Sequence, residues 1–283
     1  HCPHCLTRTL HGQTQYYHPV LEAKLVSPTG IVCSMLTEFI ENPEPDVSKQ
    51  DCERKAFERL TARLKERFPR LPICLSLDAL YADGPTFARC DSYAWKYMVV
   101  LTEADLATVN REFAALLPLV PDNRLHVRSG QRREIDQEFS WVNQINYRDS
   151  EQRSHCLSVM ECWESKPLPS EQRMQQTHFK WLTNIKVSAK RVQSLAAHGG
   201  RLRWKTENEG FNVQKHLGYA LEHAYSNDWH ASQVFYLLLQ LAHLVMQLWE
   251  RGSLLRRVFP KGVGSAKNLA FRLLEAWRNA RLR

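Results

Sequence analysis

The fold turns on the stretch "PICLSLDALYADGPTFARCDSYAWKYMVVLTE", Pro72 to Glu103. Its first ten residues are a short apolar run with an acid near its end, the pattern of a buried central strand. Gly84 to Trp95 reads as a helix, and Lys96 to Glu103 as a second buried strand. Strand, helix, strand is the repeating unit of an α/β sheet. Asp78 falls at the C-terminal end of the first strand, the edge where open α/β sheets build their sites. An aspartate just past a strand also serves as a helix N-cap or a turn acid, and residue type alone leaves both roles open.

The pattern extends in both directions. "TQYYHPVLEAKLV" (14–26) and "GIVCSMLTEFI" (30–40) are rich in β-formers and flank the turn Ser27-Pro28-Thr29-Gly30, which predicts a hairpin. A loop covers 42–50. "DCERKAFERLTARLKERF" (51–68) is an amphipathic helix with Ala56, Phe57, Leu60 and Leu64 on one face. A helix over 104–117 completes a β-β-α-β-α-β-α order, and hence a mixed sheet with helices packed on it. From 122 to 187 the segments "LHVRSG", "QEFSWVNQINYR", "HCLSVMECWES" and "HFKWLTNIKVS" read as antiparallel strands. Beyond 188 the chain reads as helices over 188–198, 201–217, 230–251 and 265–281.

Composition narrows the partners. The 283 residues are 43% hydrophobic, enough for a sizeable core in one or two domains. The formal charge is +8, and all of it lies in residues 251–283, where nine Arg and Lys face the single acid Glu275. A concentrated basic element favours a polyanion such as nucleic acid, although an ordinary basic surface helix has the same composition. Eight thinly spread cysteines suit a reducing cytoplasm better than a disulfide scaffold. The apolar run 231–250 is long enough to span a bilayer, but Gln233, Gln240, His243 and Gln247 interrupt it. It reads as a buried helix and not as a membrane span.

A second acid is offered by "RLRWKTENEGFNVQK", Arg201 to Lys215. On an α-helix Arg203 and Glu207 are i,i+4 neighbours. Trp204 and Phe211 add apolar or base-stacking surface beside Glu207. Gln214 returns to the same face, and Lys215 is rotated off it by roughly 80°. Glu209 competes, with Lys205 as its own i−4 neighbour, but Gly210 weakens the helix there. An exposed ladder of ion pairs accounts for the same residues, at about 0.3–0.5 kcal/mol per pair.

Three blocks together resemble the IS4-like DDE transposases of bacterial insertion sequences: "LDALYADGPTFARCDSYAWKYMVVL" (77–101), "KWLTNIKVS" (180–188) and "RWKTENEGFNVQKHLGYALEHAY" (203–225). The resemblance runs from Cys2 to about Trp249. It implies an RNase H-like fold with a β-rich insertion before the last acid: a core over 1–121, the insertion over 122–187, the core helix bearing the last acid over 188–229, and basic C-terminal helices over 230–283. It implies Mg²⁺-dependent cleavage and strand transfer on double-stranded DNA, at transposon ends and target, by a homodimer. Two Mg²⁺ ions, replaceable by Mn²⁺, would be held by Asp78 as the second acid and Glu207 as the third. Arg203 and Lys215 would contact phosphates, with Trp204 and Lys205 beside them. Two departures stand out. The family's C-terminal signature has Tyr where this chain has Gly200, and its Lys falls at Gln214, one residue before Lys215. The family's first acid precedes the cysteine pair, whereas this chain opens on that pair, and Glu22 does not match the motif. The expectation is a truncated and inactive fragment. The alternatives are a non-catalytic DNA-binding remnant or repurposed transposase, and an RNase H-like nuclease with a zinc ribbon.

The opening "HCPHC" contains Cys2-Pro3-His4-Cys5, half of a zinc site. His1, His4, His11, His18 or Cys52 would complete it; a hairpin turn with reduced thiols is the alternative. Cys156 and Cys162 read as core thiols, His216 and His223 as polar surface, and Trp141, Trp163 and Trp181 as core.

Overall fold

The computed structural model describes residues 2, 4–44, 49–130, 134–167, 174–223, 225–251, 257 and 264–280. His1, the middle of the expected 42–50 loop, and Arg256, Lys261, Arg281 and Arg283 of the basic segment lie outside the described residues. The protein is mixed α/β: a six-stranded mixed sheet with helices, two small hairpins and C-terminal helices. It divides into two compact units, residues 1–69 with 204–283, and residues 70–203.

The first unit begins with two hairpins. Residues 14–26 do not form one strand but split at His18-Pro19, because proline brings no N–H to a ladder. Strand β1 (Leu6–Leu10) pairs with β2 (Gln13–Tyr17), and β3 (Val20–Val26) pairs with β4 (Val32–Phe39) across a bulge at Ala23/Lys24. Helix α1 (Glu53–Arg67) buries Ala56, Phe57, Leu60 and Leu64, as its spacing predicts. Ala56 packs against Leu6 and Ile40. Arg59 and Arg63 reach Glu38, at 2.5 and 2.7 Å, and Arg59 also pairs with Asp51 at 2.7 Å. Burial pushes the Asp51 carboxyl up, but the Arg59 guanidinium and the Cys52 N–H hold it below the usual range.

The second unit is built on the sheet. Strand β5 (Cys74–Leu77) leads into Asp78 and a 3-10 turn, then α2 (Gly84–Ser92), capped by Asp83 on the Thr86 N–H at 2.9 Å. Strand β6 (Lys96–Val100) runs parallel to β5, from Cys74↔Lys96 to Leu77↔Val99. Helix α3 (Ala107–Leu116) comes next, and then β7 (Arg124–Ser129), β8 (Ile135–Arg148), β9 (Ser154–Pro167) and β10 (Met174–Thr183). The order is β5-β6-β10-β9-β8-β7. Because β10 pairs antiparallel with β6 over Trp181–Thr183, the strands of 122–187 and the parallel pair form one continuous sheet. A bulge in β8, with Gln144 at φ 62°, bends the long β8–β9 ribbon between Val142 and Ile145.

Met98, Phe139, Trp141, Met160, Cys162 and Trp181 form the core of that sheet, with Val192 of α4 (Val192–Leu195) packed on them. Trp163 is not core: it is 50% exposed and stacks on His178 with ring centroids 4.0 Å apart. Its strand neighbours Cys162 and Glu164 are buried on the opposite face, and strand alternation sends Trp163 outward. Cys156 is exposed for a similar reason, so only Cys162 of that pair is a core thiol.

The two helices expected after 188 are both interrupted. Helix α4 starts at Val192 and passes into a π turn, Ala196–Gly200; α5 (Arg203–Lys205) passes into a second, Thr206–Phe211, and then α6 (Asn212–His216). Each π turn widens the helix by about one residue and rotates the downstream side chains off the α register. Helix α7 (Trp229–Arg251) and α8 (Ala266–Asn279) end the described chain.

Helix α7 corrects the expectation of a buried helix. It is long and apolar enough to cross a membrane, yet Gln240, His243 and Gln247 are its buried residues, and Leu237, Leu238, Leu241 and Leu248 are exposed. The β3–β4 hairpin explains the inversion. The first residue of β4, Val32, needs hydrogen-bond partners, and the Gln247 amide on α7 provides them (its Oε1 accepts from the Val32 N–H at 2.7 Å).

Candidate functional site

In the second unit β5 delivers Asp78 to the C-terminal end of a parallel pair. Its backbone stays extended and its Oδ1 accepts from the Leu80 N–H at 3.1 Å, so the aspartate does cap the 3-10 turn. The cap occupies one oxygen. Oδ2 faces the Arg203 guanidinium at 3.8 Å, and the Asp78 side chain is 44% exposed. An ion pair this open contributes about 0–1 kcal/mol, so the arrangement adds little stability and leaves a carboxylate oxygen accessible.

Two glycines and an ion pair to a buried glutamate bring the chain before Arg203 down onto the sheet. The Ser76 hydroxyl donates to the Gly199 carbonyl at 2.9 Å. A Cβ at Gly199 would press on the Met98 sulfur, and one at Gly200 would overlap the Trp181 ring. Close packing on Trp181 leaves no room for a side chain at Gly200. Next to it, Arg201 pairs with the buried Glu164, whose other partner is Gln137 Nε2 at 2.8 Å, and lies over the Phe179 ring at 4.7 Å. Burial pushes the Glu164 carboxyl up, but Arg201 and Gln137 hold it below the usual range.

Glu207, Trp204, Lys205 and Lys215 belong to the first unit, and Asp78 and Arg203 to the second. Glu207 is exposed on the second π turn. Its competitor Glu209 is structural: Lys205 pairs with it at 2.7 Å and Arg251 at 3.6 Å, under the Gly30 turn. Trp204 is exposed, with the Lys205 ammonium 5.9 Å from its ring centroid. Lys215 pairs with Glu222 at 3.3 Å. Gln214 is fully buried in a reciprocal amide pair with Gln240, at 2.8 and 3.2 Å, so it packs the interior and contacts no phosphate.

Glu22 also has a defined place. Its side chain is fully buried and accepts from the Ser34 and Thr37 hydroxyls and from Tyr236 at 2.9 Å, with the Lys24 ammonium 3.7 Å away. Lys24 donates to Gln240 Oε1 at 3.1 Å and lies over the Phe211 ring at 4.8 Å. Burial pushes the Lys24 ammonium down from its ordinary value, against the pull of Glu22. The regular polar breaks in the apolar α7 sequence were the signal for this network.

At the start of the first unit three soft donors converge. Cys2 Sγ and Cys5 Sγ are 3.5 Å apart, and His18 Nε2 lies 3.1 Å from the first and 3.2 Å from the second. His18 thus joins the cysteine pair. His4 is turned to the Asn42 carbonyl, donating through Nδ1 at 2.9 Å; His11 sits exposed in the β1–β2 turn; and Cys52 stands at the N-cap of α1.

No protein-family model matches this chain, and no curated protein does.

Proposed function

We propose that this chain belongs to the IS4-like DDE transposases and has an RNase H-like core, in which Asp78 and Glu207 hold divalent cations for DNA cleavage and strand transfer. The observation that carries the reading is Asp78: an accessible carboxylate at the C-terminal end of a strand paired in parallel, with the Arg203 guanidinium beside it. Three sequence blocks with the family's residue order support it. So does the exposure of Glu207 on the helical segment those blocks predict.

Asp78 and Glu207 offer hard oxygen donors, which suit Mg²⁺ and Mn²⁺. Mg²⁺, when bound, supplies charge stabilisation to the attacking and leaving oxygens of a phosphodiester. Arg203 is positioned to bind a phosphate oxygen and to compensate the Asp78 charge. Trp204 offers a face for a base, and Lys205, Lys215 and the basic residues beyond 251 neutralise backbone phosphates. DNA duplex is the substrate, and two ends brought together require two copies of the protein.

Two measurements test this. Mn²⁺ binding by electron paramagnetic resonance should weaken at least about tenfold in Asp78→Asn, which keeps the cap acceptor, and likewise in Glu207→Gln. Fluorescence anisotropy with a short duplex should show binding whose salt slope falls by about one in Arg203→Ala. DNA binding with Mn²⁺ affinity unchanged in both acid variants sinks the catalytic assignment and leaves a DNA-binding remnant. Loss of neither property in any variant overturns the whole reading.

A further inference from the structure

We infer that Cys2 Sγ, Cys5 Sγ and His18 Nε2 bind one zinc ion, which clamps the N-terminal turn to helix α7. The inference is independent of the transposase reading.

The donor triangle has edges of 3.5, 3.1 and 3.2 Å. A tetrahedral zinc with Zn–S of about 2.3 Å and Zn–N of about 2.0–2.1 Å sets sulfurs about 3.8 Å apart and sulfur and nitrogen about 3.6 Å apart. Each observed edge is short of this by about 0.3–0.5 Å, a difference that small side-chain rotations remove. Two thiolates and an imidazole are a soft donor set, which selects zinc over magnesium or calcium.

The site is held from outside. Asn42, itself buried, makes four bonds around the turn. Its N–H donates to the His4 carbonyl at 3.1 Å, and its carbonyl accepts from His4 Nδ1 at 2.9 Å. Its side-chain amide donates to the Cys5 carbonyl at 3.1 Å, and its Oδ1 accepts from the Asp51 N–H at 3.1 Å. The Cys2 N–H points at Cys5 Sγ at 3.3 Å, and the Cys5 N–H donates to the Cys2 carbonyl at 3.3 Å. His18 lies flat on Trp229, with centroids 3.8 Å apart and planes at 21°, and Phe39 meets the same indole edge-on at 5.7 Å. Metal-bound imidazoles are commonly oriented by a hydrogen bond to their second nitrogen. Among the described residues His18 Nδ1 is buried with no hydrogen-bond partner, so stacking on Trp229 does the orienting.

The occupant is a structural zinc. Its three protein donors span residues 2 to 18, and the third rests on the first turn of α7. The fourth position goes to water.

The full chain, purified in reductant without chelator, should contain about one zinc per molecule. Replacement by Co²⁺ should give thiolate charge-transfer absorption and the visible bands of a tetrahedral ion. Cys5→Ser and His18→Ala should each lose the metal, whereas His11→Ala and Cys52→Ser should keep it. Chelation of the unmodified chain should change its tryptophan fluorescence reversibly, and Trp229→Phe should abolish that change while retaining zinc. Metal content no higher than in a Cys2→Ser/Cys5→Ser double variant overturns the site. So does an unaltered Co²⁺ spectrum in His18→Ala. Zinc removal without any Trp229-dependent change overturns the clamp.

Discussion

Gln247 pairs with the backbone of Val32 as a neighbouring strand would. Its Oε1 accepts from the Val32 N–H at 2.7 Å and its Nε2 donates to the Val32 carbonyl at 2.9 Å. Val32 is 1% exposed, so no water can replace the amide. Gln247→Leu leaves a buried donor and a buried acceptor unpaired, and should cost about 2–6 kcal/mol at about 1–3 kcal/mol per group. Urea unfolding of the variant should show the lowered midpoint. A loss under about 0.5 kcal/mol, the scale of ordinary surface substitutions, would mean that α7 is not anchored there.

Glu22 and Lys24 form a buried charge pair whose members depend on each other. Glu22→Ala strands the Lys24 ammonium and should destabilise by about 3–5 kcal/mol. Replacing both, with Glu22→Gln and Lys24→Met, should be much milder, because no uncompensated charge remains. Tyr236→Phe removes one donor and should cost about 1 kcal/mol. Equal costs for the single Glu22 and the double variants, measured by chemical denaturation, would contradict this coupling.

His243 should make stability fall in acid. Its imidazole Nδ1 accepts from Gln214 Nε2 at 2.9 Å, and burial first, then the Lys24 ammonium, hold its pKa down at about 4. The unfolded chain takes up the proton near pH 6.5 and the folded chain only near pH 4, so the stabilisation is complete above 6.5 and lost as pH drops through this window. The loss should be on the order of 1–3 kcal/mol. His243→Gln should flatten the stability profile between pH 6.5 and 4; an unchanged slope would point to another group.

Gly200 should tolerate no side chain. Because a Cβ there overlaps the Trp181 indole, Gly200→Ala should cost about 1–3 kcal/mol as overpacking. Gly200→Tyr, which adds a far larger side chain at the same place, should cost more. Thermal unfolding of the two variants decides, and a stable Gly200→Tyr protein would show that the turn can lift off the sheet.

Much of the frame was legible in order. The amphipathic face of α1, the β5–α2–β6 unit with Asp78 at its strand end, and the four antiparallel strands after 122 follow from hydrophobic period and turn residues, which act over a few neighbours. The helical stretch around Glu207 was legible as helix but not in register, because π turns at Ala196–Gly200 and Thr206–Phe211 leave no mark on residue spacing. With the register went the expected partner of Arg203: the ion pair it forms is with Asp78, 125 positions away in the chain and adjacent on the sheet edge.

Residue order alone set which groups are available for chemistry: a cysteine pair with several histidines, Asp78 after an apolar strand, and Glu207 and Glu209 side by side. Their roles were assigned by folding. Among the described residues it brought His18, and not His4 or His11, to the cysteines, because the Asn42 network turns His4 away and Trp229 lays His18 across both sulfurs. It made Glu209 a structural partner of Lys205 and Arg251, and left Glu207 exposed. It turned the glutamines of α7 inward, because unpaired backbone groups and a buried ion pair need polar partners where water cannot reach. Local periodicity records the preference of one segment. Which buried polar group must be satisfied depends on segments more than 200 residues apart, and that appears only when the chain is folded.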